Sequence, residues 1–393
     1  MRIAVLTSLY PSPPRPFEGI FAERRWRGMV ARGHAVRVTQ PLPFTPGPLA
    51  RGAWAEIRSM PESETRHGIE VERPRYLHLF RSARRNARRF SRVGTRRVLA
   101  RERPDVVVCD YAWPAAEAAP LLARAGVPCV VSGRGSDVLQ VAGEAGLGAE
   151  LARCLRAACG WCAVSRDLLA VMDELAGAPG VGALVPNGVD LDAFPLGDTG
   201  LDRSDARRRL GLPATGALVL VVGHLIERKD PLLALDVAAR SGDELSFAFL
   251  GRGPLLEACR RRAAESGLSD RVRFPGEVLP EALSSWYRAA DLLLLTSRRE
   301  GRPNVVLEAL ASGRPVLATE SGGTGELLGP WRERSLARTR DPEELSRMLR
   351  ALLADPPAPA SLRASVEPLS WGASLEALER CLERATTRDP SSR

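Results

Sequence analysis

Two patterns of apolar residues alternate along the first 185 residues of the chain. Short continuous apolar runs have the length of single β-strands, and the segments between them repeat apolar positions every three or four residues, as amphipathic helices do. This rhythm of strand, helix and strand is typical of a parallel sheet with helices on both faces. The predicted strands are 3–7, 36–39, 106–109, 129–131, 161–164 and 184–185, and the predicted helices among them include 21–31 and 115–125.

The same rhythm starts again after a stretch rich in Pro, Gly and Asp at 186–198. Its predicted strands are 218–222, 246–250, 272–274, 292–295 and 316–318, and its helices are 232–239, 255–264, 283–290, 305–311 and 342–354. We therefore predict an α/β protein with two doubly wound, Rossmann-like domains, 1–188 and 189–368, followed by a C-terminal helix and polar tail at 369–393. Ligands bind at the carboxyl ends of the strands in such sheets, so a cleft between the two domains is the expected site.

Length and composition agree with two folded domains. The chain has 393 residues, more than one domain usually holds. Its 45% hydrophobic and 26% charged content is that of a soluble globular protein and excludes a chain that is disordered as a whole. No apolar run approaches the roughly 18 residues of a membrane-spanning helix. The apolar stretch near the N-terminus is too short for a signal peptide, so we expect a cytoplasmic protein.

Positive charge is concentrated in the first half of the chain. Residues 1–190 hold 27 Arg against 18 acidic residues, which accounts for the whole net charge of +9. Within this half, segment 81–97 contains eight arginines and no acid. Five of them recur at the three- and four-residue spacing of one helical face: Arg81, Arg85, Arg88, Arg92 and Arg96. Such a helix can lie on an anionic membrane surface, and it can equally be an ordinary solvated face. The Pro-rich segment 41–61 before it is a candidate partner-binding region.

Two short motifs have both a functional and a structural interpretation. Cys159 and Cys162 have the spacing of a redox or zinc pair, but no second ligand pair accompanies them, which favours buried structural cysteines. Asp190 and Asp192 have the Asp-x-Asp spacing of metal-dependent transferases, but they lie in the linker, where turn formation is favoured. We therefore predict no metal site and no cofactor.

The loop after the predicted strand of four leucines has the chemistry of a phosphate site. Gly301 loosens the turn, and Pro303 suits the first turn of the helix that follows. The backbone N–H groups of Asn304, Val305 and Val306 would then form an anion site, with the positive end of the helix dipole behind it.

Three charged side chains add to this picture. Glu308, on that same helix, can accept hydrogen bonds from a vicinal diol such as a ribose, and Glu300 can contact the hydroxyls of a polyol. Lys229 is the only lysine among 56 basic residues. Because the chain uses arginine wherever either cation serves, this lysine indicates a place that needs a compact point charge. The alternative is that one lysine survived by chance.

Several segments carry a resemblance to a known family. In the second half they are 186–190 (Pro-Asn-Gly-Val-Asp), 222–230 (Val-Gly-His-Leu-Ile-Glu-Arg-Lys-Asp), 250–254 (Leu-Gly-Arg-Gly-Pro), 300–309, 313–319 and 322–326. In the first half they are 10–13, 17–21, 32–36 and 132–138 (Ser-Gly-Arg-Gly-Ser-Asp-Val). The two glutamates separated by seven residues in 300–309 resemble the donor-binding signature of retaining glycosyltransferases of family 4. The first-half segments resemble members that build cell-surface polysaccharides of the teichuronic-acid type.

The resemblance implies a fold and a reaction. The fold is GT-B, in which the first Rossmann-like domain binds the acceptor and the second binds the donor. The reaction is transfer of a sugar from a nucleotide-diphosphate donor to a hydroxyl acceptor, with retained anomeric configuration and without an obligatory metal. We expect the acceptor to belong to a surface polysaccharide or a lipid-linked glycan. The expected partners include an anionic membrane surface, contacted peripherally through 81–97 at the inner face of the membrane, and exclude nucleic acid.

The resemblance also assigns roles to individual residues. Lys229 would neutralise the diphosphate, while His224 stands where the family usually has an arginine for this task and Arg134 stands where many relatives have a histidine near the reacting carbon. The implied catalytic residues are Glu300, Arg134 and Asp137, and the implied donor-binding residues are Gly19, His224, Arg228, Lys229, Gly301, Asn304, Val305, Val306 and Glu308.

Two other classes of function remain open from the sequence. A related two-domain catalyst, an epimerase or a phosphorylase, would change or release the sugar without a hydroxyl acceptor. A basic protein without enzymatic activity would bind nucleic acid or membrane through 81–97, with an affinity that falls steeply with salt. The site motif favours the transferase over both, because fold alone does not choose between them.

Overall fold

The computed structural model describes residues 1–47, 51–144, 146–196 and 200–387. The chain divides into two compact units, Met1–Asn187 with Trp371–Arg393, and Gly188–Ser370. The first segment of unit one thus ends at Asn187, one residue before the predicted domain boundary at 188. The predicted polar tail beyond 387, and parts of the Pro-rich segment 41–61 and of the linker, lie outside the described residues.

The first unit contains ten strands and eight helices among the described residues up to 187. The strands are β1 (Arg2–Thr7), β2 (Ala35–Thr39), β3 (Leu42–Phe44), β4 (Ser63–Arg66), β5 (Ile69–Glu72), β6 (Arg75–Leu77), β7 (Val106–Asp110), β8 (Cys129–Gly133), β9 (Gly160–Ala163) and β10 (Ala183–Leu184). The helices are α1 (Ile20–Ala31), α2 (Ala53–Ser59), α3 (Ala83–Leu99), α4 (Ala112–Ala115), α5 (Ala119–Arg124), α6 (Ser136–Ala142), α7 (Leu147–Ala157) and α8 (Arg166–Ala176).

Eight of these strands form one sheet in the order β10-β9-β8-β7-β1-β2-β5-β4. All neighbours are parallel except β4 and β5, which form an antiparallel hairpin. Successive residues of β1 face opposite sides of the sheet: Leu6 packs in one cluster with Phe90 of α3, and Val5 packs in another with Trp26 of α1. Because helices cover both faces, the central strands are apolar at nearly every position.

The second unit repeats this design with six parallel strands. The strands are β11 (Ala217–Val222), β12 (Leu245–Leu250), β13 (Val272–Gly276), β14 (Leu292–Leu295), β15 (Val316–Thr319) and β16 (Leu336–Ala337), in the order β13-β12-β11-β14-β15-β16. The helices are α9 (Gly200–Arg209), α10 (Pro231–Ala238), α11 (Leu256–Glu265), α12 (Pro280–Ala289), α13 (Asn304–Ala311), α14 (Thr324–Leu328), α15 (Arg332–Ser335), α16 (Pro342–Ala354) and α17 (Pro359–Ala364). The predicted α/β class with two parallel sheets is confirmed.

The last described helix, α18 (Trp371–Thr386), returns to the first unit. It packs against α1 and against strands β7 to β10, and Leu378 and Leu382 lie in the cluster that contains Trp26. Glu379 accepts a hydrogen bond from Arg32 Nη2 at 2.6 Å and lies 2.8 Å from His34 Nε2. The sequence predicts a closing helix here but does not show to which sheet it belongs.

Among the described residues, no helix is long and apolar enough to cross a membrane.

Candidate active site

The loops that follow β11 and β14 meet at the carboxyl edge of the second sheet, because these two strands are neighbours. Thr296 Oγ1 donates to the carbonyl oxygen of Lys229 at 3.2 Å, and the Arg298 N–H donates to the carbonyl of Arg228 at 2.8 Å. These bonds hold the two loops together along their backbones. The sequence expectation that chemistry-bearing loops follow strands of this sheet therefore matches the geometry.

Lys229 and Glu300 form a close ion pair at this edge. Lys229 Nζ lies 2.5 Å from Glu300 Oε1, and Arg228 Nη1 lies 3.6 Å from the other oxygen of the carboxylate. The side chains of Lys229 and Glu300 are only 17% and 6% exposed, so solvent screens their attraction weakly. Three of the predicted residues thus come together here, with two cations facing one carboxylate.

A pair of glycines supports the backbone of Glu300. The N–H of Gly323 donates to the carbonyl of Gly301 at 3.1 Å. Gly322 has a φ of +48°, and a Cβ atom placed on it would lie 1.9 Å from the carbonyl oxygen of Glu300. Only glycine fits that position, so the 322–323 turn lies directly on the loop that carries Glu300.

Helix α13 begins at Asn304, after an extended Pro303. The N–H of Val306 already donates to the carbonyl of Pro303 at 3.2 Å. The N–H of Val306 is thus already engaged within the first turn of the helix, and its predicted contact with phosphate stays a prediction. Asn304 and Val305 remain at the positive end of the helix dipole, and their proposed contact with phosphate stays a prediction.

Glu308 is buried on α13 and has a partner that the sequence did not indicate. The hydroxyl of Tyr287, on α12, donates to Glu308 Oε2 at 3.1 Å and lies 3.3 Å from the carbonyl of Val305. Burial, and then the nearby carboxylate of Glu308, raise the pKa of Tyr287 well above its usual value. Tyr287 therefore stays a neutral donor that fixes the orientation of Glu308.

His224 makes no described side-chain contact with this cluster. It is exposed on the loop after β11, and the described contacts do not join it to Lys229 or Glu300. The loop itself is tightly packed, since a Cβ atom on Gly251 would lie 2.0 Å from the carbonyl oxygen of Gly223. The role that the resemblance implies for His224 stays a prediction.

Asp230 is a second residue that sequence reasoning missed. It is buried next to Lys229, caps α10, and lies 2.7 Å from the guanidinium groups of both Arg298 and Arg340. Arg340 also donates to the carbonyl of Thr296 at 2.8 Å. This network connects the loops that carry Lys229 and Glu300. The Asp-Pro pair at 230–231, a helix-start signal, was the sequence feature that could have indicated it.

The carboxyl edge of the first sheet holds the remaining predicted residues. Arg134 follows β8, next to the end of β7, where Asp110 lies. Arg134 Nη1 donates to Asn187 Oδ1 at 3.2 Å, its Nε lies 3.7 Å from Asp110 Oδ1, and its guanidinium carbon lies 5.7 Å from the ring centre of Tyr111. Arg134 is thus held between a carboxylate, an amide and an aromatic ring.

Asp137 organises the turn that carries Arg134. Its carboxylate accepts hydrogen bonds from the N–H groups of Arg134 (3.0 Å), Gly135 (2.6 Å) and Ala112 (2.6 Å). Burial raises the pKa of Asp137 to about 6, against the opposite effect of these hydrogen bonds. The described contacts of Asp137 are those of a group that shapes the loop, and its predicted catalytic role stays a prediction.

The sequence did not indicate two buried residues beside Arg134. Trp26 Nε1 donates to Asp110 Oδ2 at 3.2 Å. Arg25 Nη2 donates to Asn187 Oδ1 at 3.3 Å and to the carbonyl of Val185 at 3.2 Å. Burial, and then the nearby charge of Arg134, lower the pKa of Arg25 to about 10. Arg25 and Trp26 are on α1, far from Arg134 in sequence, and no local pattern connects them.

Gly19 begins α1 at the same edge of the first sheet. Its φ is +78°, and a Cβ atom on it would lie 2.8 Å from the carbonyl oxygen of Leu9. The position therefore requires glycine for close backbone packing. Its predicted approach to the donor phosphates is a separate matter, which stays a prediction.

Comparison with known proteins assigns the chain to a family. Residues 22–193 match the family model described as Glycosyltransferase Family 4, and residues 202–367 match the one described as Glycosyl transferases group 1. The chain is 31% identical, over 84% of its length and 83% of the relative, to the Bacillus subtilis (strain 168) protein TuaC, named as a glycosyltransferase for teichuronic acid biosynthesis. A D-inositol 3-phosphate glycosyltransferase of Geodermatophilus obscurus is 37% identical, over 47% of this chain and 43% of its own length.

Solved structures show the same fold. A crystal structure of HepE from Anabaena, in complex with UDP and glucose, matches 98% of this chain and 100% of its own with a TM-score of 0.73 at 17% identity. A sucrose-phosphate synthase from Thermosynechococcus elongatus matches 98% of this chain and 96% of its own with a TM-score of 0.72 at 20% identity. Both halves of the chain thus match family models, and its two parallel sheets match the GT-B architecture: the protein belongs to glycosyltransferase family 4 and is a GT-B transferase.

Proposed function

We propose that the protein transfers a sugar from a nucleoside-diphosphate donor to a hydroxyl group of a surface polysaccharide or lipid-linked oligosaccharide, with retention of the anomeric configuration. The Lys229–Glu300 pair at the carboxyl edge of the second sheet carries this proposal. The similarity to a relative named for teichuronic acid biosynthesis supports the acceptor class, and a structural neighbour described with UDP-glucose supports the donor class.

The proposed chemistry is stabilisation of the leaving group. The bond between the anomeric carbon and the diphosphate breaks, a bond to the acceptor oxygen forms on the same face of the sugar, and the acceptor proton passes to the released diphosphate. Negative charge grows on the diphosphate as its bond breaks. Lys229, Arg228 and the amino end of α13 place positive charge at this edge of the sheet before the reaction starts. Since these groups supply the charge, we propose that no metal ion is required.

The two buried glutamates of the second unit would bind hydroxyl groups of the donor. Its carboxylate balances Lys229 and can accept hydrogen bonds from sugar hydroxyls, while Glu308, held by Tyr287, accepts hydrogen bonds from the ribose. Both glutamates are fixed by groups of the second unit. The carboxylate oxygens that accept hydrogen bonds from the donor sugar nucleotide would therefore not have to reorganise when it binds.

Thermal unfolding with UDP, GDP, ADP and NAD, each with and without EDTA, tests the donor site. We expect one nucleoside diphosphate to stabilise the protein by about 2.7 kcal/mol at roughly 100 times its dissociation constant. EDTA should not change this shift, and NAD should produce none. The Lys229→Ala/Glu300→Gln double variant, which leaves no unpaired buried carboxylate, should lose it. If no nucleoside diphosphate raises the melting temperature of the wild type, the donor-site proposal is wrong.

We also propose that the first unit lies on an anionic membrane surface through α3. Arg84 and Arg88 pair with Glu150, and Arg97 pairs with Glu72. The stripe of Arg85, Arg92 and Arg96 is instead exposed, and the described part of the chain provides these three residues with no carboxylate partner. They repeat at seven and four residues, so they lie on one face of the helix.

An exposed apolar patch adjoins helix α3, which carries this stripe. Phe44, Leu77 and Phe80 are each more than half exposed, which is unusual for large apolar side chains. Phe44 and Leu77 face each other across the β3–β6 pair, and Arg89 of α3 donates to the carbonyl of Leu77 at 2.9 Å. Apolar side chains beside a basic stripe fit the boundary between lipid headgroups and acyl chains.

Binding to lipid vesicles tests the membrane surface. We expect the protein to bind vesicles that contain phosphatidylglycerol and not vesicles of phosphatidylcholine alone. The variant R85Q/R92Q/R96Q should bind more than tenfold more weakly, since each basic residue near such a surface contributes about 1 kcal/mol. The control R260Q/R261Q/R347Q removes the same charge from exposed positions of the second unit and should bind as the wild type does. Equal loss in both variants would show a net-charge effect and contradict the assignment.

A further inference from the structure

Two buried guanidinium groups share one acceptor at the carboxyl edge of the first sheet. Arg25 is 1% exposed, and the side chain of Arg134 is 6% exposed. Both donate to the same oxygen, Oδ1 of Asn187, at 3.3 Å and 3.2 Å. Two positive groups that meet at one neutral amide oxygen repel each other, so this arrangement needs a further reason.

The two carboxylates nearby are already occupied. Asp110 accepts hydrogen bonds from Trp26 Nε1 and from the N–H of Tyr111, both at 3.2 Å, and Arg134 Nε approaches it only to 3.7 Å. Asp137 accepts three backbone N–H groups. Neither carboxylate therefore completes the hydrogen bonding of the two arginines.

The two arginines have buried N–H groups that lack hydrogen-bond acceptors. Arg134 Nη2 and Arg25 Nε are buried, and within the described part of the chain neither has a hydrogen-bond partner. An unmatched buried donor on a charged group costs more than a neutral one. The group that would satisfy this place is an acceptor with negative charge.

The number and geometry of these donors favour a carboxylate over a phosphate. Each arginine keeps one unmatched donor atom, Arg134 Nη2 and Arg25 Nε, and the two oxygens of a carboxylate equal these two donors in number. A phosphate presents three oxygens and up to two charges, and the carboxylate of Asp110 beside Arg134 would repel the second charge. A singly charged, two-oxygen ligand therefore fits better.

We propose that Arg134, supported by Arg25, recognises the carboxylate of a substrate sugar, so that the enzyme is selective for a uronate. This inference rests on the proposed function, because it places the carboxylate on a sugar that takes part in the transfer. Arg134 lies at the sheet edge where parallel α/β sheets bind ligands, next to the end of β7. The uronate is either the sugar of the donor or the sugar at the end of the acceptor.

Calorimetric titration of the full-length protein separates the two sources. The donor arm compares UDP-glucuronate with UDP-glucose, which differ only in the carboxylate at C6; the nucleoside is replaced if the unfolding experiment selects another base. The acceptor arm compares methyl glucuronide with methyl glucoside in the presence of saturating nucleoside diphosphate. We expect the uronate to bind about tenfold or more tightly than the neutral sugar in one of the two arms.

Variants of Arg134 test whether this preference comes from the guanidinium. Arg134→Gln should reduce the affinity for the uronate to that for the neutral sugar, while binding of the nucleoside diphosphate alone stays unchanged. Arg134→Lys keeps the charge but not the planar set of donors, so it should retain part of the preference. Should Arg134→Gln lower the melting temperature, the Lys variant and the wild-type preference still decide the matter.

The outcomes distinguish this inference from the proposed function. If the nucleoside diphosphate binds but neither arm prefers the uronate, the inference is overturned and the donor site stands. A uronate preference that survives in Arg134→Gln also overturns it. If no nucleoside diphosphate binds, the proposed function fails and the inference fails with it.

Discussion

Gly322 illustrates how a single position without a side chain shapes the donor site. Its φ is +48°, and a Cβ atom placed on it would lie only 1.9 Å from the carbonyl oxygen of Glu300, so alanine must move the loop. Gly267 has a φ of +68°, and a Cβ atom there would meet nothing within 4 Å. Substitution by alanine would therefore strain the backbone at both positions, but it would cause a steric clash only at Gly322.

We expect Gly322→Ala to abolish the nucleotide-dependent rise in melting temperature, because it displaces the backbone of Glu300. Gly267→Ala should cost about 1–2 kcal/mol for its left-handed backbone and leave the nucleotide effect intact. Circular dichroism melts of both variants, with and without the nucleoside diphosphate, measure the two effects. A nucleotide shift of wild-type size in Gly322→Ala would show that the 322–323 turn does not support the site.

Local signals made some site residues predictable and left others hidden. Lys229 and Glu300 could be predicted because they follow strands and belong to short recognisable segments. The ion pair between them could not be predicted, since 71 positions separate the two residues. Arg25 is still harder to predict from the sequence, because its buried side chain donates to Asn187, which is 162 positions away. Burial of a charge depends on partners that only the fold brings together.

At the scale of elements, the contact between α18 and the end of α1 depends on Glu379. The hydrogen bond from Arg32, and then that from His34, hold the pKa of Glu379 at about 2 against the effect of burial. A carboxylate whose pKa is lower in the folded state stabilises the fold above its unfolded pKa, near 4.5. This contribution is lost as the pH falls from about 4.5 towards 2.

We expect Glu379→Gln to lower the free energy of unfolding by roughly 1–2 kcal/mol at pH 7, a value reduced for partial exposure. The difference from wild type should shrink below pH 4.5 and vanish near pH 2. Denaturant unfolding across this range measures it. Glu376→Gln, an exposed position on the same helix with a 3.9 Å contact to Arg380, should have little effect at any pH. A constant difference at all pH values would mean that the charge of Glu379 is not the cause.

Elements with a strong apolar pattern were predicted and polar ones were not. The central strands and helix α16 appear where the sequence indicates, with α16 at its predicted bounds. Strand β4 reads Ser-Glu-Thr-Arg and exists because it pairs with β5, so no apolar pattern announces it. The predicted helix 115–125 divides into α4, a 3-10 turn and α5, where prolines interrupt the helical run.

At the scale of the whole molecule, each sheet has its own closing helix. Helix α18 covers the first sheet, and α16 packs in the cluster that covers one face of the second. Leu378 on α18 and Leu352 on α16 are each 1% exposed. They offer a matched pair of core positions in the two units.

We expect Leu378→Ala and Leu352→Ala each to cost about 2–5 kcal/mol, through lost burial and the cavity that remains. Hydrogen exchange should increase in β7 and β8 for the first variant and in β11 and β12 for the second. Mass spectrometry of peptides from both sheets measures where protection is lost. Leu378→Ala would contradict the assignment of α18 if it loosened only the second sheet.

The return of α18 to the first unit also has a consequence for synthesis. A ribosome synthesises all of residues 188–370 before it makes the helix that covers Trp26 and its neighbours. At about 5–20 residues per second, the nascent first unit therefore waits roughly ten to forty seconds with part of one apolar face uncovered. The segment translated second is the one that can finish folding first, and the emerging chain has to be protected from aggregation until its final turns leave the ribosomal tunnel.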